Sequence, residues 1–204
     1  MARLGLNTQE DCAADFDLPG TLQQIHADLH PGQLAFVNDS NTEILGISAG
    51  YGAGKTRALC AKAVTLAAAN QGFIGTVMEP TGPLIRDIWQ TDFDNFLDKY
   101  NIPYTFRASP LPEYVLHLPG GDTKILCRSF ENWSRIIGLN LAWVLADEID
   151  TVTPSIAAKV FPKSLAACDP VMFASLVQHQ HRKASAGCGT PSAVKKRRTV
   201  AIES

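Results

Sequence analysis

The chain has 204 residues, 46% hydrophobic and 19% charged, with a formal net charge of −2. That is enough apolar material for one cored domain, or one with a small appendage, and it excludes a wholly disordered chain. The charge is uneven: residues 1–165 carry 12 Lys+Arg against 18 Asp+Glu, whereas residues 166–204 carry 6 against 2. Five cysteines (Cys12, Cys60, Cys127, Cys168 and Cys188) form no CxxC pair and no zinc-finger spacing. This argues against a disulfide framework or a structural zinc and fits a reducing compartment. With no apolar signal region and no apolar run near 18 residues, the sequence reads as a soluble intracellular protein, neither secreted nor membrane-bound.

In chain order, residues 1–30 are polar and acidic, with a short helical pattern at Leu22, Ile25 and Leu29 that should end at Pro31-Gly32. EILGI (43–47) reads as a buried strand, followed by a Gly-rich turn and an Ala/Leu-rich helix from Lys55 to Asn70. FIGTVMEP (73–80) is the next strand. Apolar residues at three and four spacing from Leu84 to Tyr100 predict an amphipathic helix. Period-two segments around Tyr114–Leu118 and Thr123–Cys127, joined by PGGD, predict a hairpin. A short helix over 131–137 follows. LAWVLA (141–146) is an unbroken apolar run, as for a strand buried on both faces. The alternation predicts an α/β domain with a mostly parallel sheet.

Two motifs carry chemistry. Ala49-Gly50-Tyr51-Gly52-Ala53-Gly54-Lys55-Thr56 lies between a predicted strand and a predicted helix and matches GxxxxGK[ST], with Ala49 at the first Gly. Three glycines let backbone N–H groups turn inward as an anion nest at a helix N-terminus. Lys55 is then placed for the β- and γ-phosphates of ATP, and the Thr56 hydroxyl for Mg²⁺. The second motif is the pair that closes the apolar strand. Asp147 would hold the Mg²⁺ shell through water, and Glu148 would polarise the attacking water as general base. Asp followed by Glu favours hydrolysis of the nucleotide over phosphoryl transfer to a small molecule. Weaker candidates are Gln33, a loop amide that could read the adenine edge, and Arg86, Arg128 and Arg135, whose guanidinium forks suit phosphoryl oxygens. His26, His30 and His117 have no partner spacing and no assigned role.

HPGQ (30–33), AGYGAGKT (49–56), EPTGPLIRDIW (79–89) and CRSFENWSRIIGLNLAWVLADEID (127–150), in this order, resemble the large terminase subunit of tailed bacteriophages over about residues 20–165. The resemblance implies a P-loop NTPase of the ASCE type, a three-layer sandwich that drives double-stranded DNA into a capsid. It implies a homo-oligomeric ring in the host cytoplasm, with portal protein and small terminase subunit as partners. Gln33 becomes an adenine contact, and Arg86 and Arg135 become candidate catalytic arginines. Tyr51 stands where many members carry an arginine.

The pattern breaks after the acidic pair, where the family continues with a strand ending in a Ser/Thr coupling motif and Pro-Glu-Gly-Phe. Codons for His181–Pro191 can be chosen so that the neighbouring frame reads PEGFRWMWNTF. The expectation is therefore a lead-in (1–30), a partial ATPase domain (31–165) and a basic, disordered, out-of-frame tail (166–204). In this reading Lys195-Lys196-Arg197-Arg198 is an accident of frame. The sheet should lack its strand between the phosphate-loop strand and the acidic strand. The domain would be destabilised and bind nucleotide weakly, and without a nuclease domain it would not cut DNA. Two alternatives remain: a self-contained helicase-like ATPase with a basic DNA-binding arm, and a non-catalytic ATP-binding interaction module.

Overall fold

The computed structural model describes residues 15–40, 42, 44–50, 52–136, 138–153, 155, 172–178 and 197–202. Helix α1 (Leu18–Ala27) starts at Asp17, whose carboxylate accepts from Gly20 N at 3.0 Å, the usual use of an acidic N-cap. Helix α2 (Pro31–Asn38) follows after three residues. The sequence reading stops a helix at Pro31-Gly32; the structure also begins one there. Proline fits the first helical position because its missing N–H has no intrahelical partner to lose. His30 and Gln33 close a capping box around that start. Gln33 therefore sits in the first turn of a helix and not in a loop.

Strand β1 (Ile44–Ala49) leads into α3 (Lys55–Ala69), and β2 (Ile74–Glu79) follows. The predicted helix over 84–100 is present as a continuous rod: a turn at Gly82–Leu84, a π-helical stretch at Ile85–Gln90, and α4 (Thr91–Lys99). Next come β3 (Tyr104–Arg107), β4 (Glu113–Leu116) and β5 (Thr123–Ser129), then a kinked 3₁₀ segment at Phe130–Ile136. Strand β6 (Leu141–Ala146) and a 3₁₀ turn at Ile149–Thr151 follow. The last strands are β7 (Met172–Gln178) and β8 (Arg197–Ile202).

The sheet order is β3-β4-β5-β2-β6-β7-β1-β8. β3, β4 and β5 pair antiparallel, and the remaining pairings are parallel. At one end of the β4–β5 hairpin His117 bridges Thr105 (2.8 Å) and Asp122 (2.9 Å). Alternation along β6 divides the core: Trp143 and Leu145 join the larger cluster with α3, whereas Val144 and Ala146 join a smaller one with Met78, Phe130 and Ile136. That is the pattern of a strand buried on both faces. Helices α1, α2 and α4 pack around α3 on the first face.

The expectation of a missing strand is corrected here. β7 occupies the slot between β6 and β1, pairing Trp143–Ala146 on one side and Ile44–Ala49 on the other. A ladder slot in a parallel sheet requires backbone partners and an apolar, β-prone segment, and MFASLVQ meets that requirement. Residues 172–178 and 197–202 of the tail are thus strands, against the expected disorder. Arg197 and Arg198 lie in β8, whereas Lys195 and Lys196 lie outside the described residues.

Candidate functional site

In parallel α/β sheets, ligands gather beyond the carboxyl ends of the strands. Here β1, β2 and β6 deliver three chemically loaded segments to that edge. From β1, Ala49 and Gly50 enter the loop, with Gly52 (φ 76°) and Gly54 (φ 75°) left-handed. Only glycine adopts these conformations at no steric cost. Gly54 is also the N-cap of α3 and supplies the carbonyl for the first helical bond, from Ala58 N at 3.1 Å. Ala53 N donates to Gly50 O at 3.4 Å, closing the turn. Lys55 is buried and folds back, its Nζ donating to Ala49 O (3.1 Å) and Gly50 O (2.8 Å). Tyr51 lies outside the described residues.

From β6 come Asp147 and Glu148. Asp147 N donates to Met78 O at 2.9 Å, extending the β6–β2 ladder. Its Oδ1 accepts from Glu148 N at 2.9 Å, and the residue is 3% exposed. Glu148 is left-handed (φ 49°), held there by a turn in which Thr151 N and Oγ1 both donate to its carbonyl, at 3.0 and 2.7 Å. A non-glycine residue in that region is uncommon and concentrates at functional sites. Glu148 shares one cleft of about 550 Å³ with Gly52, Gly54, Lys55 and Thr56. Asp92, Asn95 and Phe96 of α4 form the facing wall.

Sequence reasoning missed Glu79, the last residue of β2. It is 1% exposed and its Oε1 has no hydrogen-bond partner. Burial, reinforced by the Asp147 and Glu148 carboxylates, pushes its pKa up to about 9. Burial also lifts Asp147 to about 6, with Glu148 adding to the rise and Lys55 opposing it. The signal was available: a glutamate closing an apolar strand, as Asp147 does in β6.

Gln33 reaches the phosphate loop, but its amide is engaged there. Oε1 accepts from His30 N at 2.9 Å and Nε2 donates to Gly54 O at 2.8 Å. The arginines are placed elsewhere. Arg86, Arg128 and Arg135 line a second cleft of about 320 Å³ with Pro110, Ser129 and Asn132. Arg128 Nη1 donates to Pro112 O (2.9 Å) and Cys127 O (2.8 Å), bracing the loop ahead of β4. Four strand spacings separate β5 from β1, about 19 Å at the usual strand separation. The expectation that Arg86 or Arg135 meets the γ-phosphate in the Lys55 cleft is therefore not met within one chain.

Solved structures share this architecture. The large terminase ATPase domain of Thermus phage P74-26 superimposes with a TM-score of 0.60 at 18% identity, over 76% of this chain and 66% of that one. A mutant of the same domain gives 0.59 at 16% identity, over 89% and 83%. The fold is that of a large terminase ATPase domain. The complete large terminase of another thermophilic bacteriophage matches with a TM-score of 0.58 at 13% identity, over 77% of this chain and 38% of that chain. This chain thus spans well under half of that terminase, which was also solved with ADP and with ATP-gamma-S. No protein-family profile matches the sequence, and no curated protein matches it. Within the terminase-like fold, no described helix is long and apolar enough to cross a membrane.

Proposed function

We propose that this chain is an ATP-binding and ATP-hydrolysing unit of a phage DNA-packaging motor. One observation carries the reading: the Gly52–Thr56 loop and Glu148, which are 92 residues apart in sequence, line the same cleft. Under this reading the loop amides at the start of α3 receive the phosphates. Lys55, now held by two loop carbonyls, turns outward to the β- and γ-oxygens. Glu148 orients and deprotonates the attacking water.

The donor set suits a magnesium ion. Thr56, Asp147 and Glu148 offer hard oxygens, and the buried, unpartnered Glu79 oxygen marks local excess of negative charge. Thr56 and Asp147 would hold it, and when bound it would neutralise charge on the phosphate oxygens. Arg86 and Arg135, too distant for their own loop, suit the nucleotide of a neighbouring copy in a ring. Double-stranded DNA, a portal and a small terminase subunit are the partners this reading implies, in the bacterial host cytoplasm. We also infer that residues 166–204 are translated out of frame, since β7 needs only backbone pairing to fill its slot. A gene sequence without a terminase continuation in the neighbouring frame would refute that.

The functional test is a titration of fluorescent ATP analogue with Mg²⁺, followed by steady-state hydrolysis. Lys55→Ala should lose binding. Glu148→Gln should keep binding and lose at least a hundredfold in turnover, within the usual range for general-base removal. Equal turnover in wild type and Glu148→Gln would overturn the assignment.

A further inference from the structure

We propose that α2 is a positioning element for the phosphate loop, in which Gln33 orients the Gly54–Lys55 peptide and does not read the base. The proposal rests on the loop being a phosphate site. Helix α2 is fastened at both ends to the loop–helix unit. At its start, Gln33 is 6% exposed and bridges His30 N and Gly54 O. At its end, Lys62 of α3 is 1% exposed and donates to the carbonyls of Phe36 (3.3 Å), Val37 (2.8 Å) and Asp39 (2.8 Å). Carbonyls at a helix C-terminus lack intrahelical donors and carry the negative end of the dipole, so a buried ammonium there satisfies both needs.

The consequence lies in one peptide plane. In a trans peptide the C=O and the following N–H point in opposite directions. Drawing the Gly54 carbonyl toward Gln33 directs the Lys55 N–H away from α2, toward the loop mouth. That N–H is a donor any bound phosphate would use. The contact is tight: a Cβ at position 54 would lie 2.5 Å from Gln33 Nε2. Glycine there serves the Gln33 contact as well as the positive φ. An amide bonded this way contributes to phosphate affinity whatever base is attached.

The test compares wild type and Gln33→Ala against ATP, GTP and inorganic tripolyphosphate with Mg²⁺ by calorimetry. All three should weaken by a similar factor, about tenfold for one lost hydrogen bond at a buried site. ATP weakened alone, with GTP and tripolyphosphate unchanged, overturns the proposal in favour of base reading. Gln33→Glu supplies a second readout. Its protonated form can donate to Gly54 O and its ionised form cannot, so affinity relative to wild type should recover from pH 8 to pH 5; a flat ratio counts against positioning. If wild type binds none of the ligands, the phosphate-site reading fails by itself. Hydrogen exchange of the ligand-free protein then decides the positioning claim. Amides in 52–58 of Gln33→Ala should exchange about tenfold faster, with β2 and β6 unchanged, and equal protection across 52–58 overturns it.

Discussion

Glu79→Gln is the most direct probe of the three-carboxylate edge. Glu79 has its pKa raised from 4.5 to about 9 in the fold. Between those values the folded chain keeps a proton that the unfolded chain has released. Stability therefore falls as pH rises through that window, by about 1.4 kcal/mol per unit. From pH 6 to pH 8 the loss assigned to Glu79 is about 3 kcal/mol, a large share of a typical domain's 5–15 kcal/mol. Asp147 acts with the same sign, but its pKa of about 6 confines most of its effect to lower pH. Glutamine keeps the shape and cannot ionise, so the variant should be nearly flat from pH 6 to pH 8. The assay is urea unfolding in metal-free buffer across that range, with thermal melts as a cross-check. For a chain this long, the expected Tm advantage of the variant at pH 8 is about 6–10 °C. Parallel stability profiles for wild type and variant between pH 6 and pH 8 would refute the protonated-Glu79 argument.

The other predictions draw on separate parts of the molecule. Lys62→Met should cost about 2–4 kcal/mol, because it leaves three helix-end carbonyls without a donor in a dry site; chemical denaturation reads it. Gly75→Ala should be destabilising by about 1–3 kcal/mol, since a Cβ there runs into the Trp143 ring across the β2–β6 pair. Near-wild-type stability would show that the ring can move aside. Magnesium should raise Tm more at pH 8 than at pH 6, because protons compete for the same carboxylates; an equal shift at both pH values would place the cation elsewhere. Arg135→Ala should leave ATP affinity unchanged, and a tenfold weaker binding by the isolated chain would return that arginine to its own Lys55 cleft.

Much of the fold was legible because the strong signals are periodic. LAWVLA could only be a strand covered on both faces, and the apolar stripe from Leu84 to Tyr100 could only be a helix. What periodicity does not encode is winding, and the π-helical stretch at Ile85–Gln90 left no trace in the spacing. The site was legible where chemistry is local. Gly52, Gly54, Lys55 and Thr56 are contiguous, and the Asp147–Glu148 pair ends a recognisable strand. It was illegible where the sheet decides neighbours. Strand order puts β2 beside β6, so Glu79 becomes a third carboxylate at the edge although 68 residues separate it from Asp147. The same order carries Arg135 four strands away from the loop. Gln33 shows a further limit. An amide near a phosphate loop suggests recognition by type alone, yet the capping box around Pro31 turns its oxygen inward and leaves its nitrogen for Gly54. Burying that amide serves loop geometry, and a base-reading role at this position would require both bonds to be given up first.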